Sequence, residues 1–197
     1  MATITIDNNE FEFDGSISVL EAAKKLGVSI PTLCYNEHLS IYGGCRLCMV
    51  ENADNGRLVP ACSTMATDGL KISTNSEQCV DARQFVMGLI LSRAPHNARM
   101  QELAREVGLE TESENQDPVT NYLLDRSAPR EKTDCVLCSL CVRACAEVPE
   151  RDAISFKGRG FSRRVATPFG RISETCIGCG SCAYVCPTDA ITIEEAD

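Results

Sequence analysis

The sequence has no tryptophan, only two histidines and few aromatic residues, which make up 5% of the chain. Two histidines give little capacity for acid-base catalysis, and no nucleophile-base pair stands out beside them. No glycine-rich turn between a strand and a helix suits the phosphates of a dinucleotide. These absences argue against an active site or a nucleotide pocket in this chain.

Long apolar runs are missing as well, and none approaches the length that crosses a bilayer. The chain opens with MATITI, without the charged and then apolar segment of an exported protein. Its formal net charge of -9 argues against a nucleic-acid partner. We therefore expect a cytoplasmic chain that neither inserts into a membrane nor binds nucleic acid.

Cysteine, in contrast, is abundant, with 13 residues in a chain of 197. Thiols stay reduced in the cytosol, so cysteines there indicate metal ligation rather than a disulfide framework. The core is expected to be divided into small units that need their metal clusters to fold, because units of this size bury too little apolar surface.

Eight of the cysteines form one pattern, C-x2-C-x2-C-x3-C, that occurs twice. The copies are Cys135, Cys138, Cys141, Cys145 and Cys176, Cys179, Cys182, Cys186. Bacterial ferredoxins bind [4Fe-4S] clusters with this run, and in two-cluster proteins the fourth cysteine of each run ligates the other cluster. We expect a helix that begins at the fourth cysteine to turn its thiolate away. The predicted ligand sets are Cys135, Cys138, Cys141 with Cys186, and Cys176, Cys179, Cys182 with Cys145.

Zinc is the main alternative, since paired C-x2-C motifs also form structural zinc sites with four ligands. One zinc ion would leave half of the eight thiols unexplained. The spacing of the third and fourth cysteines, with Pro187 after the last one, favours iron and sulfide.

Residues 1–76 combine a predicted hairpin, a helix and four further cysteines. Alternation over residues 3–6, a turn and a second strand that carries Phe13 predict the hairpin. Ser18, followed three residues later by Glu21, predicts a helix that begins with a capping box.

The four cysteines have the spacing C-x10-C-x2-C-x13-C, which suits a [2Fe-2S] cluster. They are Cys34, Cys45, Cys48 and Cys62. Gly43 and Gly44 allow the backbone to approach the cluster sulfides and to donate N–H groups to them. A zinc site or unligated buried cysteines are the alternatives.

The stretches IPTLCYNEHLSIYGGCRLCMVE and LVPACST resemble the N-terminal region of the large iron-sulfur subunit of respiratory NADH dehydrogenase. A similar region occurs in the diaphorase iron-sulfur subunit of NAD-linked hydrogenases and at the front of iron-only hydrogenases. The resemblance covers nearly the whole chain. It implies a ubiquitin-like β-grasp domain whose [2Fe-2S] ligands match the four cysteines one for one.

In that family the next segment holds a further [4Fe-4S] cluster through H-x3-C-x2-C-x5-C. His96 matches the histidine, but the cysteine positions are Met100, Leu103 and Leu109. Apolar side chains cannot replace thiolates, so this cluster should be absent. Met100 and Leu103 instead fit the buried face of a helix.

The predicted fold class is α+β, in three parts. These are an N-terminal, plant-ferredoxin-like β-grasp domain (residues 1–76), a helical connecting segment (77–130) and a C-terminal bacterial two-[4Fe-4S] ferredoxin-like domain (131–197). An acidic linker is expected from Glu110 to Asp117. The insert between the two cysteine runs predicts a strand pair with turns near Gly158 and Gly170.

The same insert carries a basic run in an otherwise acidic chain, with no acidic residue from Ala153 to Ser173. Its members are Lys157, Arg159, Arg163, Arg164 and Arg171. Two interpretations stay open, a surface for a partner subunit or a solvated surface strand.

Three one-electron centres indicate conduction rather than catalysis, because the cofactors carry the chemistry. We expect a non-catalytic electron-transfer subunit of a hetero-oligomeric NAD(P)H-linked complex. Its partners would be a flavin-containing NAD(P)H dehydrogenase-type subunit and a catalytic subunit, such as a hydrogenase, a formate dehydrogenase or another anaerobic reductase. The family's catalytic domains lie downstream of this region, so catalysis is expected elsewhere in the assembly. A free polyferredoxin is the second hypothesis and an iron-sulfur redox sensor the third.

Overall fold

The computed structural model describes residues 1–109 and 133–193, so the predicted acidic linker from Glu110 to Asp117 lies outside the described residues. The described part contains a five-stranded sheet with a helix, two longer helices, and a small two-stranded sheet with two short helices. This mixed content confirms the predicted α+β class. Within the described ranges, no helix is long and apolar enough to cross a membrane.

The five-stranded sheet forms the N-terminal part of the fold. Its strands, in the spatial order β2-β1-β5-β3-β4, are β1 (Ala2–Ile6), β2 (Asn9–Phe13), β3 (Met49–Asn52), β4 (Arg57–Pro60) and β5 (Lys71–Ser73). Strand β1 is antiparallel to β2 and parallel to β5, and β3 is antiparallel to β4 and β5. Helix α1 (Val19–Lys25) packs into the same apolar core, which gives the β-grasp arrangement that the resemblance implied.

Local signals explain the hairpin and the first helix. Asp7 and Asn8, between β1 and β2, both have positive φ, which Asp and Asn adopt more readily than most residues. At the start of α1 the hydroxyl of Ser18 accepts from the N–H of Glu21 at 3.2 Å, and the Glu21 carboxylate accepts from the N–H of Ser18 at 2.8 Å. The predicted capping box is confirmed. Gly27, with φ +75°, follows the end of the helix.

Strands β3 and β5 have no counterpart among the predicted elements. They are four and three residues long, too short to display a clear alternation. Pairing with neighbouring strands forms them, and each places one buried residue in the core, Val50 and Ile72.

Helices α2 (Glu77–Leu91) and α3 (Ala98–Glu106) follow the sheet. Helix α2 begins after Ser76, whose hydroxyl accepts from the N–H of Cys79 at 3.4 Å. Cys79 is fully buried, and its thiol donates to the carbonyl of Ser73 at 3.5 Å. This cysteine is therefore a buried core residue, apart from the twelve cysteines of the predicted ligand sets.

Met100, Leu103 and Leu109 lie in an apolar core that also contains Leu47 and Met87. The three side chains are 0%, 2% and 7% exposed. His96 is exposed, just before α3. Packed apolar side chains therefore occupy the positions at which the resembling family has thiolates.

The C-terminal part contains α4 (Leu140–Glu147), the antiparallel pair β6 (Ser155–Lys157) and β7 (Arg164–Ala166), and α5 (Ser181–Tyr184). The strand pair in the insert was predicted, and short 3-10 turns at Gly160–Ser162 and Pro168–Gly170 accompany it.

The expectation that a helix begins at the fourth cysteine of each run is wrong. Helix α4 already includes Cys141, because Ser139 adopts a left-handed conformation (φ 70°) and turns the chain one residue before the helix starts. In the second run, Gly180 makes a similar turn (φ 75°), and α5 contains Cys182 and ends before Cys186.

We predict that Leu103→Ala lowers the free energy of unfolding by about 2–5 kcal/mol, because a fully buried leucine is replaced by a cavity. The measurement is anaerobic urea unfolding of the cluster-loaded protein, followed by far-UV circular dichroism. Leu89→Ala is the matched control, since Leu89 on α2 is 42% exposed. The control should cost less than about 1 kcal/mol. Equal losses in the two variants would mean that this core is not tightly packed.

Candidate iron-sulfur sites

Four cysteines lie together where β3 begins and β4 ends. Cys48 directly precedes β3 and Cys62 follows β4, and the pairing of Met49 with Pro60 brings these two strand ends side by side. The thiol of Cys48 is hydrogen bonded to that of Cys62, and the thiol of Cys34 to that of Cys45. The structure thus brings together all four side chains of the predicted [2Fe-2S] set.

The loop before Cys45 brings backbone N–H groups close to sulfur. The N–H groups of Gly44 and Cys45 both donate to the sulfur of Cys34. A Cβ atom on Gly44 would lie 2.2 Å from the ring of Tyr42, so a larger residue there would require the ring to move. Gly43 has φ +62°, a conformation that favours glycine. The N–H of Gly44 therefore reaches a cysteine sulfur, while the predicted approach of both glycines to cluster sulfides stays a prediction.

Hydrogen bonding within each thiol pair separates the pKa values of its members. The bond from the Cys45 thiol lowers the pKa of Cys34 to about 6, while the same bond and burial raise the pKa of Cys45. In the other pair, the bond lowers the pKa of Cys62 and raises that of Cys48. Since cluster ligands are thiolates, cluster binding must remove the protons of all four thiols.

A cavity of about 470 Å³ is lined by three cysteines of the first run and the last cysteine of the second run. These are Cys135, Cys138, Cys141 and Cys186. Burial raises the pKa of Cys138 to about 11 and that of Cys141 to about 12, and negative charge on Cys186 adds to both increases. The four side chains therefore face one another across one volume.

A second cavity, of about 490 Å³, is lined by the complementary set. Its cysteines are Cys145, Cys176, Cys179 and Cys182. Burial raises the pKa of Cys182, and negative charge on Cys145 contributes to this increase. Helix α4 explains the exchange, because it carries Cys141 into the first cavity and Cys145, one turn later, into the second.

Each exchanged cysteine accepts a hydrogen bond from a backbone N–H group. The N–H of Ala153 donates to the sulfur of Cys145 at 3.3 Å, and the N–H of Ala190 donates to the sulfur of Cys186 at 3.3 Å. Hydrogen bonds to cluster sulfurs are one of the means by which a protein sets a reduction potential. The N–H groups of Ala153 and Ala190 would therefore contribute to the reduction potentials of the two [4Fe-4S] clusters.

A single metal ion fits these sets poorly. A zinc ion needs thiolate sulfurs about 2.3 Å from one point. Among residues 1–109 and 133–193, no three His, Cys, Asp or Glu side chains converge closely enough to bind one ion. The eight cysteines of the two runs surround cavities instead, and an all-thiolate donor set suits iron-sulfur clusters.

Three arginines that the sequence did not single out donate to carbonyl groups at or beside the predicted ligands. The bonds are Arg83 to Met49 at 2.7 Å, Arg93 to Cys135 at 2.8 Å and Arg143 to Cys34 at 2.6 Å. The partners are 34, 42 and 109 residues apart in the chain, so no local spacing could reveal them.

Two protein-family matches cover the two parts of the chain that contain the predicted ligand cysteines. Residues 1–77 match the family described as a 2Fe-2S iron-sulfur cluster binding domain, and residues 134–194 match the 4Fe-4S dicluster domain. The chain is therefore an iron-sulfur protein that combines these two domains. The predicted cofactors, one [2Fe-2S] and two [4Fe-4S] clusters, are confirmed.

Curated relatives come from complexes that use nicotinamide cofactors. The chain is 35% identical over 213 residues to NADP-reducing hydrogenase subunit HndD of Solidesulfovibrio fructosivorans, a match that covers 99% of this chain and 36% of that protein. It is 32% identical to an NADH-quinone oxidoreductase subunit of Rhizobium meliloti (strain 1021), over 97% of this chain and 24% of that protein. The NADPH-Fe(3+) oxidoreductase subunit alpha of Geobacter sulfurreducens is 30% identical, over 97% of this chain and 24% of that protein.

A solved structure supports the same relationship. A chain in the crystal structure of an NAD+-reducing [NiFe]-hydrogenase in the H2-reduced state superimposes with a TM-score of 0.75 at 29% identity. The match covers 96% of this chain and 86% of that chain. The predicted resemblance to iron-sulfur subunits of NADH dehydrogenase and NAD-linked hydrogenases is confirmed. The chain spans between 24% and 36% of the length of these curated relatives.

The exchange of fourth cysteines can be tested with Cys145→Ser. We predict that this variant loses or alters the EPR signal of the cluster at Cys176, Cys179 and Cys182, because serine replaces one of its four thiolates. The signal of the cluster at Cys135, Cys138 and Cys141 should persist. Iron analysis of the parent protein should give about 10 irons per chain, from 2 + 4 + 4.

Cys79→Ser is the control, because Cys79 is buried like Cys145 but belongs to neither cysteine run. Its thiol donates a hydrogen bond to the carbonyl of Ser73, and a serine hydroxyl can donate the same bond. The control should keep the iron content of the parent. If Cys145→Ser removed only the signal that depends on Cys135, Cys138 and Cys141, the proposed exchange would be wrong.

Proposed function

We propose that this chain relays single electrons through three iron-sulfur clusters within an NAD(P)H-linked oxidoreductase complex. The observation that carries the proposal is that each cysteine set adjoins the next one. When bound, the clusters supply the one-electron chemistry. The chain supplies their spacing, their burial and the hydrogen bonds to their sulfurs.

The proposed ligands follow the grouping of the cysteines described above. The [2Fe-2S] set is Cys34, Cys45, Cys48 and Cys62; the first [4Fe-4S] set is Cys135, Cys138, Cys141 and Cys186; the second is Cys176, Cys179, Cys182 and Cys145. We further propose the domains 1–76, 77–130 and 131–197. The middle segment would lack the family's histidine-type cluster, because Met100, Leu103 and Leu109 form part of an apolar core.

The [2Fe-2S] set adjoins the first [4Fe-4S] set. Cys45 and Cys138 pack against the same apolar core and line the same cavity of about 380 Å³. Negative charge on Cys34 contributes to the raised pKa of Cys138. The first and second [4Fe-4S] sets are joined by α4, which contributes one cysteine to each. This order supports a path from the [2Fe-2S] cluster through the first to the second [4Fe-4S] cluster, in either direction.

The second [4Fe-4S] set lies at an exposed end of the path. Cys176 and Cys179 are exposed, whereas most of the [2Fe-2S] set is buried. Three large apolar side chains line the same cavity and are also exposed, namely Ile172 (87%), Ile177 (58%) and Ile193 (64%). Exposed apolar groups around a site indicate a contact surface. We place a partner with its own redox cofactor at this end.

The basic run between the two cysteine repeats has four exposed members and one half-buried member. Its exposed members are Lys157, Arg159, Arg164 and Arg171. Arg163 instead is half-buried, with its guanidinium 4.1 Å from the centre of the Phe156 ring, and its carbonyl accepts from Arg93 at 3.0 Å. Arg163 therefore has a structural role, and the exposed four favour a partner surface that is acidic.

The proposed partners are a flavin-containing NAD(P)H dehydrogenase-type subunit and a catalytic oxidoreductase subunit. Three relatives are named as subunits of NADP-, NADH- or NADPH-dependent oxidoreductases, which supports a hetero-oligomer. We propose a cytoplasmic location, without a role for nucleic acid or membrane insertion. A free polyferredoxin is the second candidate, because the exposed cysteines of the second set would also suit brief encounters.

Anaerobic purification of the tagged chain from its native cells separates the two candidates. For a relay subunit we expect flavin to co-purify with the chain. NAD(P)H should bleach the cluster absorbance of the complex but not the cluster absorbance of the isolated chain. Because the sequence shows no glycine-rich turn for a dinucleotide, we expect reduction to pass through a partner. A single species of about 21.4 kDa without flavin would favour the free carrier.

The exposed end can be tested with Ile172→Glu in the purified complex. We expect a several-fold slower oxidation of NAD(P)H-reduced clusters by the catalytic partner's substrate, because a charge would disrupt apolar contact and oppose an acidic partner. Phe85→Glu is the control, since Phe85 is 52% exposed on α2. Equal rates in both variants and the parent would place the partner elsewhere. Iron content confirms that the clusters stay bound.

A further inference from the structure

Arg143 is a buried cation that connects two cluster sites. It lies on α4 between the proposed ligands Cys141 and Cys145 and is 8% exposed. Its guanidinium donates to the carbonyl of Cys34 at 2.6 Å and to the carbonyl of Ser40. One side chain on the [4Fe-4S] ligand helix thus binds the backbone of a proposed [2Fe-2S] ligand.

Further contacts hold the same loop against α4. The Arg143 guanidinium carbon lies 5.7 Å from the centre of the Tyr42 ring, within the range of a cation–π contact. Glu147, one turn further along α4, accepts from the N–H of Ser40 at 2.7 Å and from its hydroxyl at 2.5 Å. The Cys34–Tyr42 loop is therefore fixed to α4 at several points.

Arg143 forms no ion pair within 4 Å among the described residues. The carboxylate of Glu147 is nearby but exposed, and its pKa is lowered mainly by its hydrogen bonds to Ser40 and also by the charge of Arg143. The two acceptors of Arg143 above are neutral carbonyl groups, and its Nε atom is buried without an acceptor among the described residues. Because an arginine stays protonated, this position holds a permanent buried positive charge beside Cys34.

We propose that Arg143 is a positioning residue of the relay, which fixes the [2Fe-2S] loop against α4 and raises the reduction potential of the [2Fe-2S] cluster. The proposal rests on the ligand sets given under the proposed function. Reduction adds one electron, supplied by the neighbouring [4Fe-4S] cluster or by a partner, and makes or breaks no bond. A fixed positive charge nearby stabilises the added negative charge, and no proton is needed.

The test is an anaerobic potentiometric titration of the cluster-loaded full chain, followed by EPR. In Arg143→Met we expect the ratio of reduced to oxidised [2Fe-2S] cluster, at the midpoint potential of the parent, to fall about tenfold. For a one-electron couple this is a shift of about 59 mV to more negative potential. The magnetic interaction between the reduced [2Fe-2S] and first [4Fe-4S] clusters should also weaken, because the variant loses the hydrogen bonds that fix Cys34 and Ser40 to Arg143, and only the bonds of Ser40 to Glu147 remain.

Two further variants separate charge from position. Arg143→Lys keeps the charge but not the planar fork that reaches two carbonyl groups, so we expect most of the potential to return while the magnetic interaction stays weakened. Arg105→Met removes the same charge from an exposed position on α3 and should change neither signal.

A parent-like potential and a parent-like magnetic interaction in Arg143→Met would overturn the proposal. If Arg143→Met cannot retain its clusters, Arg143→Lys tests the positioning role. A parent-like magnetic interaction in Arg143→Lys would then overturn the proposal. In the titration, chemical mediators set the potential and no partner takes part. The result therefore does not depend on the proposed NAD(P)H-linked function, which the co-purification experiment tests. Absence of a [2Fe-2S] signal in the parent would contradict the ligand set rather than Arg143.

Discussion

The placement of two cysteines on α4 is the constraint on which the C-terminal part of the structure depends. Cys141 and Cys145 line different cavities, yet they are only four residues apart on one helix, which is about 6 Å along its axis. The two [4Fe-4S] sites therefore cannot move independently. Each cavity is also lined by cysteines from both runs, so the two runs must fold together to form either one. A unit of this size buries little apolar surface, and cluster binding must supply much of its stability.

The same helix extends this constraint to the N-terminal part. Arg143 and Glu147 bind the loop after Cys34 through hydrogen bonds, and Leu140 and Ala144 pack against Leu39 beside them. The apolar contact is small, so polar contacts determine the register between the loop and the helix. Directional bonds suit this task, because electron transfer between the sites requires a fixed separation rather than a strong association.

Cysteine spacing and local caps made much of this arrangement predictable. The repeated run predicted which side chains share a cavity, and Ser18 with Glu21 predicted the start of α1. The start of α4 was missed, because the left-handed turn at Ser139 has no glycine to mark it. Strand β5 was missed because three residues carry no period, and Arg143 because its partner is 109 residues away. Long-range contacts of this kind depend on the assembled fold and leave no pattern in the sequence.

The core between α2 and α3 occupies the place at which the resembling family has three thiolates. Three ligated thiolates and three apolar side chains are alternative ways to fill one buried volume, and here the side chains are Met100, Leu103 and Leu109. Cys45 and Cys138 pack against this core. The core therefore holds the two proposed sites that contain Cys45 and Cys138 next to each other. Under the proposed function, apolar packing at these positions supports the direct path between those two sites.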